Sequence, residues 1–208
     1  MNQSERSFEL VSTVLLALAT VATAWSAYQS RQWTGVQSEG YSKATATRIG
    51  VNRVSALANR QVQVDVATFI QWVDARANHD AALAGFYRAR FRNEFKPAFT
   101  AWLATRPFTN PAAPPTPFAM PQYRLKADVQ ADRSELVAAA ASQRAKDANQ
   151  RADDYMLAVV LFASALFFAG LSVKTHASTA GWALLGIGCA AFLATVIWLA
   201  TLPIHLAN

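Results

Sequence analysis

A single cysteine, Cys189, stands in the 208-residue sequence, and it falls inside an apolar run. No intrachain disulfide can form, and zinc or redox motifs, which need several ligands at set spacings, are excluded. A lone thiol in such a run reads as a small packing residue. Histidine is almost as scarce: His79, His176 and His205 fall in a helical tip, an outer turn and an inner tail, too far apart to converge. His79 with Asp74 and Asp80 is the one histidine–carboxylate cluster, and it reads as solvated surface contacts. Asp128, Asp132 and Glu135 share a helix face and read as ion pairs with Arg124 or Lys126. No glycine-rich phosphate loop and no nucleophile elbow occurs. These absences predict a protein that is not an enzyme and uses no cofactor and no metal.

Charge is missing from three long stretches, 10–30, 155–173 and 175–208. Each is long enough to cross a bilayer as one helix, since about twenty apolar residues span about 30 Å of hydrocarbon. The sequence predicts an all-α integral membrane protein with three transmembrane helices, and a long helical hairpin, coiled-coil-like, as a soluble domain between the first and second. The expected divisions are 1–30, 31–154 and 155–208. No Asp, Glu, Lys or Arg lies inside a span, which argues against a proton-coupled transporter. A passive pore lined by hydroxyls or closed by apolar rings stays open as a reading.

The charge that is present sits almost wholly between the spans. Of 19 basic residues only Arg6 and Lys174 lie outside 29–154, and of 13 acidic residues only Glu5 and Glu9. Ala22-Thr23-Ala24 offers a signal-cleavage pattern, but Glu5 and Glu9 outnumber Arg6 in the leader, and the run continues through Trp25 and Tyr28. It therefore reads as an anchor. Arg31 and Lys43 follow the first span, and Arg144, Lys146 and Arg151 precede the second. Their excess over Arg6 and Lys174 predicts a cytoplasmic domain, an external N-terminus and a bacterial inner-membrane location. These five cations are candidate contacts to anionic lipid headgroups, each contributing about 1 kcal/mol near such a surface. The basic, aromatic stretch 86–96 reads as a packed face with a charged rim, and no nucleic-acid partner is expected.

Within the first span Ser12, Thr13, Ala19, Thr20, Thr23, Ser26, Ala27 and Ser30 fall in one arc of the helix. Ser12, Thr13, Thr20, Thr23 and Ser26 are the candidate stripe, for close helix packing or for lining a narrow pore. Gly35 and Gly40 weaken the helix and mark a hinge. Beyond them Val51, Val54, Ala58, Val62, Val66, Phe69 and Val73 form an apolar stripe, with Arg48, Arg53, Arg60, Gln61 and Asp65 assigned to other faces. A second helical segment covers 80–105, with Pro97 as a break or a fresh start. Six of the eight prolines crowd into 107–121. This strap reads as polyproline-like loop, with Phe108, Phe118 and Met120 packing on the helices. Its other reading is a docking strap for a protein partner. One helix is then expected from Gln122 into the membrane, with Leu125, Val129, Leu136 and alanines 138–141 on its apolar face. Ala165 with Ala169, and Gly186 with Ala190, are small-residue pairs suited to close contact between spans.

The apolar stripe on 51–73 exceeds what the returning helix can cover, so self-association is expected. One span, a large helical block and then a hairpin of two spans resemble the threading of TolQ/ExbB/MotA-type inner-membrane motor subunits. That resemblance is in topology and implies pentameric ring assembly; it carries over no functional residue. The segment 91–121, with Phe95-Lys96-Pro97-Ala98-Phe99 and the later Pro-Phe and Met-Pro pairs, also resembles bacterial inner-membrane proteins to which no function is assigned. The functional expectation is a homo-oligomeric membrane protein forming a channel-like or scaffolding ring. The alternative is a regulatory or sensory subunit whose helical hairpin docks a cytoplasmic protein.

Overall fold

The structure, a computed structural model, describes residues 3–175 and 178–205; His176, assigned from sequence to the outer turn, lies outside them. Helix α1 runs Gln3–Ala77, α2 Ala81–Arg90, α3 Lys96–Ala104, α4 Lys126–Lys174 and α5 Thr179–Leu199. No strand occurs among the described residues. Helices α1, α4 and α5 are each long and apolar enough to cross a membrane. The chain itself buries only 22, 28 and 17% of their most apolar windows.

The helix ends follow from local chemistry. Helix α1 closes in a Schellman-type end: His79 takes a left-handed φ of 58°, Asp80 N–H donates to Ala75 C=O at 2.9 Å and His79 N–H to Arg76 C=O at 3.2 Å. Asp80 then caps α2, its Oδ1 accepting from Leu83 N–H at 2.8 Å. Pro97 stands in the first turn of α3, where its missing N–H costs nothing. The expected segment 80–105 is therefore two helices, parted at 91–95. The strap is a series of turns with one 3₁₀ turn at Pro117–Ala119, so its prolines do admit a short helical piece. Ser178 caps α5 through Gly181 N–H at 3.1 Å.

Two compact units emerge, Met1–Lys43 with Ala141–Asn208, and Ala44–Ala140. In the first, buried positions on α4 step by three and four: Ala141, Ala145, Ala148, Ala152, Tyr155 and, further on, Phe162, Ala165, Ala169 and Ser172. This is the repeat that keeps one seam facing a neighbour. Gly40 is a contact and not a hinge. Helix α1 passes through it unbroken, and a Cβ there would lie 2.9 Å from Ala145 Cβ and 3.3 Å from Ala141 C=O. Gly35 also lies within the helix, with open space around it. Ala165 and Ala169 are buried as the sequence suggests, but their partner on α5 is Gly188, whose Cβ would sit 3.2 Å from Ala165 C=O. Gly186 and Ala190 face outward, two residues out of register with that seam.

The second unit is built on aromatic rings. Phe69, Trp72, Phe91, Phe95, Phe99 and Trp102 are buried together, and Phe118 and Met120 from the strap pack against them. Trp102 Nε1–H donates to Pro114 C=O at 2.8 Å and ties the strap to α3. Helix α4 starts at Lys126, four residues later than expected, because Tyr123 packs on this core and Leu125 on a neighbouring cluster with Ala58 and Ala127. Val129 and Leu136 turn outward, and the buried face of α4 here is Ala127, Ala131 and Ala138. A helix this slim lets α1 approach closely, and large side chains would hold it off.

Candidate functional site

The candidate stripe on α1 divides into two faces. Ser12 and Ser26 are buried within the chain, beside Ala19 and Ser30. Thr13 and Thr20 are exposed, and Thr23 is half-buried at the edge. The threonine hydroxyls turn back to their own helix: Thr13 to Glu9 C=O at 2.8 Å, Thr20 to Leu16 C=O at 2.7 Å, and Thr23 to Ala19 C=O at 2.7 Å. Such bonds satisfy a hydroxyl in an apolar medium without any partner helix. Arg31, Lys43, Arg144 and Lys146 are exposed. Arg151 differs, being half-buried with its guanidinium 4.5 Å over the Trp33 ring.

Next to that ring lies a buried polar knot. Gln29, fully buried, donates from Nε2 to His205 C=O at 3.2 Å and accepts His205 N–H at 3.0 Å. Trp33 Nε1–H and Tyr155 O–H both donate to Pro203 C=O, at 3.2 and 3.3 Å. Ser30 Oγ donates to Ala152 C=O at 2.9 Å. The stretch after α5, expected as a tail, is thereby fastened to α1 and α4. Pairing these groups is what makes their burial affordable, because an unbonded amide in an apolar setting is costly.

In the second unit the sequence reading misplaced Asp65. It is fully buried, not on an outer face. Its Oδ2 accepts from Arg92 Nη1 at 2.8 Å and from the Tyr123 hydroxyl at 3.0 Å. Arg92 also pairs through Nη2 with Glu94, whose other oxygen accepts the Lys126 N–H at 3.2 Å. This relay joins α1, the α2–α3 connector and the first amide of α4. Asp65 Oδ1 and Gln61 Oε1 meet no donor among the described residues. Burial outweighs the two donors on Oδ2, so the Asp65 carboxyl is held above its usual range. The Tyr123 hydroxyl is pushed up too, by burial first and then by its bond to Asp65. The spacing Ala58, Val62, Asp65, Phe69, Trp72 steps by four and three, which is the signal that places Asp65 in the stripe.

His79, Asp74 and Asp80 do not form a site: Asp74 accepts from Asn78 and Asp80 caps α2. Glu135 pairs with Arg48 at 3.6 Å, not with Arg124 or Lys126. Beside the aromatic core a cavity of about 480 Å³ is lined by Trp72, Arg76, Arg88, Arg106 and Phe108, among others. Arg76 and Arg106 come from helix ends that sequence reading did not connect. No family model, no curated protein and no solved structure matches this chain.

Proposed function

We propose that the chain is a non-catalytic, multi-pass protein of a bacterial inner membrane that assembles with copies of itself into a channel-like or scaffolding ring. The observation that carries the reading is a pair of outward seams of small residues in the first unit. On α1 these are Thr13, Ala17, Thr20, Ala24 and Ala27; on α5 they are Ala183, Gly186, Ala190 and Ala194. All are exposed, and a Cβ at Gly186 would meet nothing within 4 Å. The surrounding exposed positions are bulky, among them Leu10, Val14, Val21, Ile187 and Ile197. Small seams let helix backbones approach in lipid, where hydrophobicity itself gives no drive to associate. Two different seams meeting head to tail generate a ring, whereas one self-complementary seam would generate a two-fold dimer. In the second unit the exposed Leu57, Val64, Leu136 and Val137 offer further surface for self-association. This reading keeps the threading that resembles TolQ/ExbB/MotA-type subunits, with the helical hairpin, coiled-coil-like, in the cytoplasm. Arg31, Lys43, Arg144 and Lys146 then meet anionic headgroups.

The test is disulfide trapping in native membranes, in a Cys189→Ala background. Cysteine pairs placed at Ala17 with Gly186, and at Ala24 with Ala190, are expected to give ladders of multimers on oxidation. A pair at Leu18 with Ile187, matched in depth but exposed on the bulky surface, is expected to stay monomeric. Equal trapping at all positions, or a monomeric mass for the purified chain, removes the ring. A second reading, a regulatory or sensory subunit that docks a cytoplasmic protein, is favoured by the exposed Leu83 and Phe86 on α2 and the exposed strap at 109–112. Photocrosslinking from Ala112 separates the two: self-capture supports the ring, and one unrelated protein supports docking.

A further inference from the structure

We propose that the cavity lined by Trp72, Arg76, Arg88, Arg106 and Phe108 is a binding site for an organic phosphate, with the phosphoryl group on the arginines and an apolar remainder against Phe108. The inference goes beyond the assembly reading and stands without it.

Each of the three arginines sits at a helix C-terminus: Arg76 in the last turn of α1, Arg88 in the last turn of α2, and Arg106 just past Thr105, the cap of α3. The partial negative charge of terminal carbonyls favours one cation at each place. It does not require three of them to line one cavity. Among the described residues none of the three has a carboxylate oxygen within 4 Å. The nearest acids in sequence are engaged elsewhere, Asp74 with Asn78, Asp80 with Leu83 N–H, and Glu94 with Arg92 and the Lys126 N–H. Arg90 shows what a purely local arginine looks like: it lies 3.4 Å over the Phe86 ring and reaches Phe86 C=O. Arg88 is only loosely placed, 5.9 Å from the Phe99 ring centre.

Arg106 carries a second sign. Its φ is 55°, in the left-handed region, at the position after a helix where glycine is usual. A side chain there is strained, as at His79, and persists because the surrounding turn over-determines it. The next residue is Pro107, which fixes the turn, and Thr109 and Asn110 N–H both donate to Arg106 C=O, at 3.0 and 2.9 Å. The backbone of Arg106 is thus fixed at the edge of the cavity that its side chain lines. Planar guanidinium groups suit phosphate oxygens, which take paired N–H donors. Phe108 is 61% exposed, with its ring 6.3 Å from Trp72 and 5.9 Å from Trp102, and it supplies the apolar wall. The volume suits a mid-sized ligand.

The experiment is calorimetric titration of the full chain in phosphatidylcholine nanodiscs and phosphate-free buffer. The probes are 1-naphthyl phosphate, pyrophosphate and short-chain dihexanoyl phosphatidic acid, with 1-naphthol as the uncharged control. One-to-one binding of a phosphate probe, with none of naphthol, is expected. Tighter naphthyl phosphate assigns a soluble ester; tighter phosphatidic acid assigns a lipid headgroup. Arg88→Gln should weaken binding on the order of tenfold, as for loss of a charge-assisted hydrogen bond. Phe108→Ala should weaken naphthyl phosphate and leave pyrophosphate unchanged. Arg106→Gly removes the cation and relieves the backbone, so it should lose affinity with a melting temperature at or above the parent. No binding of any phosphate probe up to about 10 mM overturns the proposal. So does unchanged affinity in Arg88→Gln and Arg106→Gly.

Discussion

Replacing Arg92 with methionine isolates the buried relay. Asp65 is fully buried, and Arg92 is one of two donors to its Oδ2, the other being Tyr123. Removing one partner of such a pair costs about 3–5 kcal/mol, because a charge is left without its counter-ion. The Arg92 side chain keeps 24% of its exposure, which places the cost near the lower end, about 3 kcal/mol. That is a large share of the roughly 5–15 kcal/mol that holds a typical domain. The assay is hydrogen–deuterium exchange of the full chain in detergent, followed in peptides covering 90–130. At about 1.4 kcal/mol per tenfold, protection there should fall about a hundredfold. The double variant Asp65→Leu/Arg92→Met removes both charges and should recover most of the loss. The pH dependence has a definite sign. Burial holds the Asp65 carboxyl above the ordinary value of about 4, so the folded chain binds its proton more tightly than the unfolded chain. Its contribution is fully present below about pH 4 and is lost as pH rises through the folded value. Without the Arg92 cation the carboxyl moves higher still. Arg92→Met should therefore lose more protection than the parent as pH is raised above about 4, and Asp65→Asn should show none of this slope. Unchanged exchange in Arg92→Met, or a double variant as labile as the single one, would falsify the account of the relay.

Gly40→Leu should separate α1 from α4, since even a Cβ meets Ala145 at 2.9 Å, and should lower the melting temperature in detergent. Gly35→Ala meets nothing and should stabilise α1 by up to about 1 kcal/mol, raising it slightly. Thr20→Leu fills an outward seam and should weaken self-association measured by mass photometry more than Leu18→Ala; the reverse order would move the interface to the bulky face. Gln29→Leu strands the His205 backbone groups and should speed proteolytic trimming of the stretch after α5, while Gln32→Leu, half-buried and bonded to Tyr28 on its own helix, should not. A cysteine at Ala113 should label from outside everted vesicles, where the cytoplasmic face is turned outward, and labelling from outside intact cells would reverse the threading.

The helical class and the three long apolar helices were legible because both rest on local quantities, run length and the absence of charge. Pro97 at a helix start and the packing of Phe118 and Met120 were legible for the same reason, since proline geometry and aromatic burial are strong single-residue preferences. Asp65 is not legible from its charge, which points to an outer face, while its angle on the helix, shared with Ala58, Phe69 and Trp72, assigns it to the core. Only Arg92 and Tyr123, 27 and 58 residues away, make that position tolerable for a carboxylate. Gly40 illustrates a different gap: glycine in a helix reads as weakness until the neighbour it admits is known. The choice between Gly186 and Gly188 turns on the rotation of α5 about its own axis, which a uniformly apolar helix does not encode. The arginine cavity gathers side chains from three helix ends, and no local pattern reports such a meeting.

Glu94 accepts the first amide of α4, so the place where the returning helix begins is written some thirty residues upstream of it. A ribosome delivers the receptor of that bond well before its donor. The early portion of the second unit is thus the template and the late portion the copy that is fitted to it. Altering Glu94 removes the mark from which the return is measured.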